Sequence, residues 1–331
     1  MSAKKRKPAE TSAASRDRGR RDFLKMATTP LVAWCATPML EARESGRLPN
    51  PVGYATISWP RDQFEHALRT ISQLGFQGTQ MLGWVEEAYA GSKEEELLNL
   101  VHQLKLEPVA LSASEVRVDP ANPVDQSARL RQYAVFQQKM GGKYLQVTDA
   151  GKPDGKYSDD QFHALGARMN DLGRVAEEYG LGLGYHPHFG TYGETRKGLG
   201  RVLAATDPDR VKLIADVAHL TLGGSDPAEV IRTYQERMIF LHFKDVPRNI
   251  AQLARRDPNL VRRERYHFCE IGQGVVNFPA IMSALRDVGF TGWIVVELDG
   301  YRVPRGGPDE SARTNCKAVR KLGLQVHQVP A

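Results

Sequence analysis

The sequence predicts an α/β chain folded as a single closed (β/α)8, or TIM, barrel, and three observations carry that expectation. From Pro51 onward, short apolar runs rich in Val, Ile, Leu and Tyr alternate eight times with longer amphipathic stretches, the pattern of repeated βα units around a parallel sheet. The returns from helix to strand are short and marked by Gly75, Gly142 and Gly180, which fits a closed barrel better than an open sheet. A doubly wound sheet would also place a glycine-rich phosphate turn after its first strand, where this chain reads Ile57-Ser58-Trp59-Pro60, no dinucleotide fingerprint.

Taken in order, the strands are expected at Tyr54 to Ser58, Phe76 to Met81, Glu107 to Ser112, Lys143 to Thr148, Leu181 to His186, Val211 to Asp216, Met238 to Phe243 and Trp293 to Leu298. Helices are expected between them, at Asp62 to Leu74, Glu94 to Leu104, Asp125 to Met140, Asp159 to Tyr179, Pro227 to Glu236 and Phe278 to Val288. Asp62, Asp159 and Asp226 stand where a side-chain oxygen caps the first free N–H groups of a helix. The single long βα connection, from about Val246 to Asn277, is of the kind that shapes a substrate pocket.

A barrel of this type takes about 250 residues, so residues 51–325 of the 331 are assigned to it and residues 1–45 to a disordered tail. The 41% hydrophobic and 25% charged composition suits a soluble domain with a sizeable core. Nine basic against three acidic side chains in the first 25 residues account for the whole net charge of +6. The barrel itself is formally neutral, which gives no support to a nucleic-acid partner.

The basic head runs into Arg20-Arg21-Asp22-Phe23-Leu24-Lys25 and an apolar run from Met26 to Leu40 interrupted by Pro30 and Pro38. It resembles a twin-arginine export signal, too short for the roughly 20 apolar residues that span a bilayer. Trp34 before Cys35 does not suit a lipoprotein cleavage box. A periplasmic or secreted protein without a stable membrane anchor is expected, compatible with a homo-oligomer, with Cys269 and Cys316 as free thiols.

Catalytic groups of such barrels sit at the C-terminal ends of the strands. Strand five ends Tyr185-His186-Pro187-His188, strand six ends at Asp216 with His219 beyond, strand seven ends His242-Phe243-Lys244-Asp245, and strand eight ends at Glu297. A single histidine such as His242 is ordinarily a hydrogen-bonded core residue. Asp216 and Glu297 are different, because an unpaired buried carboxylate costs several kcal/mol without a cation or donors. Imidazole nitrogen plus carboxylate oxygen suits one divalent metal, with manganese first and cobalt, zinc, iron or magnesium as alternatives.

Five segments carry a family resemblance: Tyr185-His186-Pro187-His188-Phe189-Gly190-Thr191; Asp216-Val217-Ala218-His219-Leu220 with Gly223-Gly224-Ser225-Asp226-Pro227; His242-Phe243-Lys244-Asp245-Val246; Gly272-Gln273-Gly274-Val275-Val276-Asn277-Phe278; and Gly292-Trp293-Ile294-Val295-Val296-Glu297. With Ile57-Ser58-Trp59 they make the chain similar to the sugar phosphate isomerase/epimerase family of xylose-isomerase-like barrels, and within it to inosose dehydratases. The resemblance implies Asp216, His242 and Glu297 as metal ligands. Epimerase relatives place a glutamate where this chain has His186, so the fourth ligand is His186, or else Gln146 or water. Dehydratase-like relatives have a glutamate near Gln146, Thr148 and Asp149.

The implied chemistry is proton abstraction beside the carbonyl of a keto-sugar or polyol of the inosose or 3-keto-glycoside type, followed by dehydration or by isomerisation or epimerisation. Glu297 is the base candidate, His188, His219 and Lys244 are proton donors or hydroxyl ligands, and Arg248, Trp59 and Glu270 are candidate substrate contacts. A metal-dependent hydrolase would need more carboxylates. A noncatalytic periplasmic sugar-binding protein would use Trp59, Trp84 and Tyr192 for stacking and need no metal.

Overall fold

The computed structural model describes residues 48–118, 126–151, 156–263, 268–299 and 306–327. The twin-arginine segment, Trp34 and Cys35 lie outside them. Eight strands run β1 Val52–Ala55, β2 Gly78–Leu82, β3 Glu107–Val116, β4 Tyr144–Asp149, β5 Gly182–Tyr185, β6 Val211–Asp216, β7 Met238–Phe243 and β8 Trp293–Val296. Each pairs in parallel with the next, and β8 closes on β1 through Val52↔Ile294 and Tyr54↔Val296, so the predicted closed barrel stands.

Several boundaries differ from expectation. β1 starts two residues early and stops at Ala55, because Thr56–Ser58 turns into a 3-10 helix with the Trp59 N–H on the Thr56 carbonyl. Asp226 caps its helix through the Ala228 N–H. Asp159 does not cap; the residue before it, Ser158, accepts from Gln161 while Gln161 returns a bond to the Ser158 N–H, a capping box that satisfies two end donors at once. Asp62 lies inside a 3-10 turn that has no side-chain cap.

Residues pointing into the barrel follow the period-two alternation of strands. The interior hydrophobic cluster includes Trp293 and, above it, a layer of Tyr144, Ile214, Phe240 and Val295, with Tyr144 stacked on Phe240. Gly184 makes room for it: a Cβ there would fall 2.4 Å from Ile214 Cδ1. Two residues further along each strand the side chains change character, to Gln80, Gln146, His186, Asp216, His242 and Glu297. Hydrocarbon therefore floors the barrel beneath a polar upper layer.

The long connection after β7 contains the helices Arg248–Arg256 and Pro258–Arg263. Its return is gathered by Asp245, whose carboxylate accepts from the N–H groups of Val246, Gly272, Gly274 and Val276 at 2.7 to 3.0 Å. Gly274 is required there, since a Cβ would lie 2.2 Å from the Val246 carbonyl.

Asp149, at the end of β4, holds the loop that follows β5. It accepts from the Tyr185 hydroxyl at 2.6 Å and the Tyr192 N–H at 2.9 Å. Burial pushes its carboxyl up to about 6, against the pull of these donors. A folded-state value above the unfolded one means that stability present in acid is lost as pH rises through about 4 to 6. Asp149→Asn keeps the shape without the charge. Its stability relative to the wild type is expected to gain about 2 to 3 kcal/mol between pH 4 and 6.5 and then level off, measured by urea unfolding; a flat difference would refute the shift.

Candidate metal centre

Four consecutive strands deliver the chemistry. The ladder runs one residue beyond the regular strands, with the His186 N–H on the Val147 carbonyl and the Glu297 N–H on the Phe243 carbonyl, which fixes both side chains on the inner face. Asp216 ends β6 and caps the helix Val217–Leu222: its Oδ1 accepts from the Ala218 and His219 N–H groups, both at 2.9 Å. The cap locks the carboxylate and leaves Oδ2 directed inward.

One donor atom each from His186, Asp216, His242 and Glu297 lies within 4.8 Å of every other. His242 Nδ1 stands 3.3 Å from Glu297 Oε2 and 3.6 Å from Asp216 Oδ2, and His186 Nε2 stands 3.3 Å from Asp216 Oδ2. All four side chains are essentially solvent-inaccessible. Two carboxylates and two imidazoles converging on one point fit a divalent ion of the zinc or manganese type.

The cover over this cluster is largely polar. Lys244 Nζ bridges Asp216 Oδ2 at 3.0 Å and Glu297 Oε2 at 2.8 Å, and also pairs with Asp299. The His188 and His219 rings stack at 4.2 Å, and His188 Nε2 reaches His186 Nδ1 at 3.3 Å. Phe268, from the long connection, lies 4.3 Å from Lys244 Nζ and edge-on to His219.

Electrostatics follow from burial and this one ammonium. Burial alone would raise Asp216, yet Lys244 and the neighbouring histidines hold it well below the usual carboxylate range. Burial raises Glu297, with Asp299 adding to the effect and Lys244 opposing it. Burial would also lower Lys244, but Asp216, Asp299 and Glu297 keep it well above its ordinary value. Burial lowers all four histidines, His188 and His219 most strongly, so they are neutral at physiological pH.

The structure therefore brings together Asp216, His242, Glu297, His186, His188, His219 and Lys244. It does not bring Trp59, Glu270 or Arg248 into contact with the cluster among the described residues. Trp59 is buried edge-on to Tyr54 and donates its indole N–H to Asp309 at 2.8 Å. Glu270 accepts from the Ser311 hydroxyl at 2.5 Å, tying the long connection to the last helix, Gly307–Lys321. Arg248 is exposed at the start of its helix, facing a surface cavity shared with Arg255. Of the stacking candidates, Trp84 packs edge-on to Phe64 and Tyr192 stacks on Tyr157 at 3.7 Å.

Gln80 and Asp299 were not anticipated. Asp299 lies two residues past Glu297, hence on the same side of the extended chain. Gln80 was marked by being a polar residue at an inward strand position. Gln146 binds no site carboxylate; its amide lies 2.9 Å from His186 Nδ1.

Comparison with known proteins agrees with this architecture. An inosose dehydratase from Lacticaseibacillus casei is 30% identical over 275 residues, covering 75% of this chain and 89% of that one. Among solved structures, the probable 3-DHS dehydratase of petrobactin synthesis from Bacillus anthracis superposes with a TM-score of 0.67 at 18% identity, covering 81% of this chain and 98% of that one. The IOLI protein with a binding zinc atom gives 0.66 at 16% identity over 82% of this chain and 98% of that one. With residues 68–322 matching its model, the chain belongs to the xylose isomerase-like TIM barrel family.

Proposed function

We propose that this enzyme of the isomerase, epimerase or dehydratase type is a divalent-metal-dependent dehydratase of a cyclic keto-polyol of the inosose kind. The observation that carries this reading is the convergence of Asp216, His242, Glu297 and His186 at the C-terminal ends of the barrel strands. The inosose dehydratase relative supports the substrate class, and the zinc of the IOLI protein supports the use of a metal by this fold.

A divalent ion, when bound, polarises the ketone and stabilises the oxyanion that develops there. Glu297, with its carboxyl raised by burial, takes the proton from the adjacent carbon, since a base nearer neutrality is the more effective one. His188 and His219, neutral and stacked beside His186, guide the proton to the departing hydroxyl. Lys244 holds Asp216 and Glu297 at fixed spacing and limits their mutual repulsion. Proton return to the same carbon would instead give isomerisation or epimerisation.

The test is incubation of the purified chain with inososes, 3-keto-glycosides and simple ketoses in deuterated water with added manganese or cobalt. Deuterium uptake at the carbon beside the carbonyl, followed by loss of water from an inosose, is expected. Bound metal without exchange into any ketose would favour a hydrolase.

We also propose export through the Arg20-Arg21 signal. Arg20→Lys with Arg21→Lys is expected to retain the protein in the cytoplasm on cell fractionation, and an unchanged periplasmic yield would refute it.

A further inference from the structure

Two buried amides on the inner face have no part in the chemistry above. Gln80 is fully buried and Gln146 nearly so, on β2 and β4, strands that contribute neither carboxylate nor imidazole to the cluster. Gln80 Oε1 lies 2.7 Å from His242 Nε2, Gln80 Nε2 donates to Gln146 Oε1 at 3.0 Å, and Gln146 Nε2 lies 2.9 Å from His186 Nδ1. His186 Nε2 in turn stands 3.2 Å from His242 Nδ1. The four side chains form a closed ring of hydrogen bonds.

Such a ring has a direction. A carboxamide donates from nitrogen and accepts at oxygen, and a neutral imidazole donates from one nitrogen and accepts at the other. With His242 giving its Nε2 hydrogen to Gln80, the amides pass the sense onward. His186 then accepts at Nδ1 and carries its hydrogen on Nε2, where Asp216 Oδ2 at 3.3 Å is a second acceptor. Two neutral histidines joined in this way both carry hydrogen on Nε2, yet present opposite groups to the site, a bare Nδ1 from His242 and an Nε2–H from His186.

Resting on the metal-dependent reading, we propose that Gln80 and Gln146 are positioning residues that fix His242 and His186 both in the Nε2–H tautomer, so that His242 turns the bare Nδ1 to the cation and His186 turns an N–H. Asp216, His242 and Glu297 are then the protein ligands. His186 is a hydrogen-bond donor to a substrate oxygen rather than a fourth ligand.

The first test is long-range proton–nitrogen correlation NMR of the metal-free full chain with labelled histidine. The expected result is hydrogen on Nε2 of both rings, which leaves Nδ1 of His242 bare toward the site and Nε2 of His186 protonated toward it. Bare nitrogens on both rings toward the site, or the reverse assignment, would overturn the proposal. The second test is zinc affinity by chelator competition. Gln80→Leu removes the acceptor that sets His242 and is expected to weaken binding about 10- to 100-fold, while Gln80→Glu, which keeps an acceptor, restores it.

Gln146→Leu frees His186 Nδ1 to donate to His188 Nε2, 3.3 Å away, and so to bare Nε2; affinity is expected to hold or rise. Equal weakening by both leucine variants would reveal a merely structural role and overturn the proposal. Hydrogen on Nε2 of both rings in a wild type that binds no zinc would uphold the ring while defeating the metal reading. Zinc binding with hydrogen on Nδ1 of either ring would do the reverse.

Discussion

Glu297→Gln is expected to lower turnover of an inosose, and deuterium uptake from solvent, on the order of 10²- to 10⁴-fold, the usual contribution of a positioned general base. The substitution is nearly isosteric, and the partners of Glu297 explain why the loss falls on chemistry rather than on folding. Its Oε2 faces Lys244 at 2.8 Å and His242 at 3.3 Å, and an amide oxygen can still accept from Lys244. What disappears is the negative charge, which both draws the proton and helps to hold the cation. Zinc affinity should therefore fall together with turnover, while the far-ultraviolet dichroism stays that of the wild type. His188→Asn in parallel should reduce elimination more than exchange, because it removes a proton donor and spares the base. A Glu297→Gln enzyme that still exchanges deuterium at the wild-type rate would assign the base elsewhere.

The barrel was legible because each strand is a short apolar run followed by a helical stretch, and eight such units admit few arrangements. The cluster was legible at Asp216 and Glu297 because each ends an apolar strand with a carboxylate that burial alone would not tolerate; His242, by itself an ordinary core histidine, was marked by the family resemblance. His188 and Lys244 stand at strand ends, two residues past His186 and His242, and period-two alternation would have reached Asp299 from Glu297 in the same way. Gln80 was harder. A neutral amide within a strand carries no charge to explain, and its meaning depends on a partner 66 residues away, Gln146.

Trp59 and Glu270 misled for the opposite reason. An aromatic ring or a carboxylate near a strand end reads as a pocket wall until its own partner is known, and Asp309 and Ser311 both come from the far end of the chain. Local caps were misplaced by a single residue at Asp159, since Ser158 with Gln161 satisfies two end donors and an aspartate one position later satisfies neither.

Lys244→Met is the substitution with the largest expected effect on stability, and its sign depends on the metal. The Lys244 ammonium is wholly buried and contacts Asp216, Glu297 and Asp299; removing it leaves up to three carboxylates facing one another with no compensating charge. Breaking a buried ion pair in this manner costs about 3 to 5 kcal/mol, equivalent to roughly 10 °C in melting temperature for a domain of this size. The carboxylates would respond by rising in pKa, which makes the deficit larger at pH 8 than at pH 5, since a proton neutralises what the lysine no longer does. A divalent ion supplies the missing charge at the same oxygens. Saturating zinc is therefore expected to raise the melting temperature of Lys244→Met more than that of the wild type, by mass action on the folded state alone. If the variant melts lower and zinc returns none of the loss, the carboxylates of this cluster are not gathered around a cation, and Lys244 is simply the counter-ion of a buried structural network.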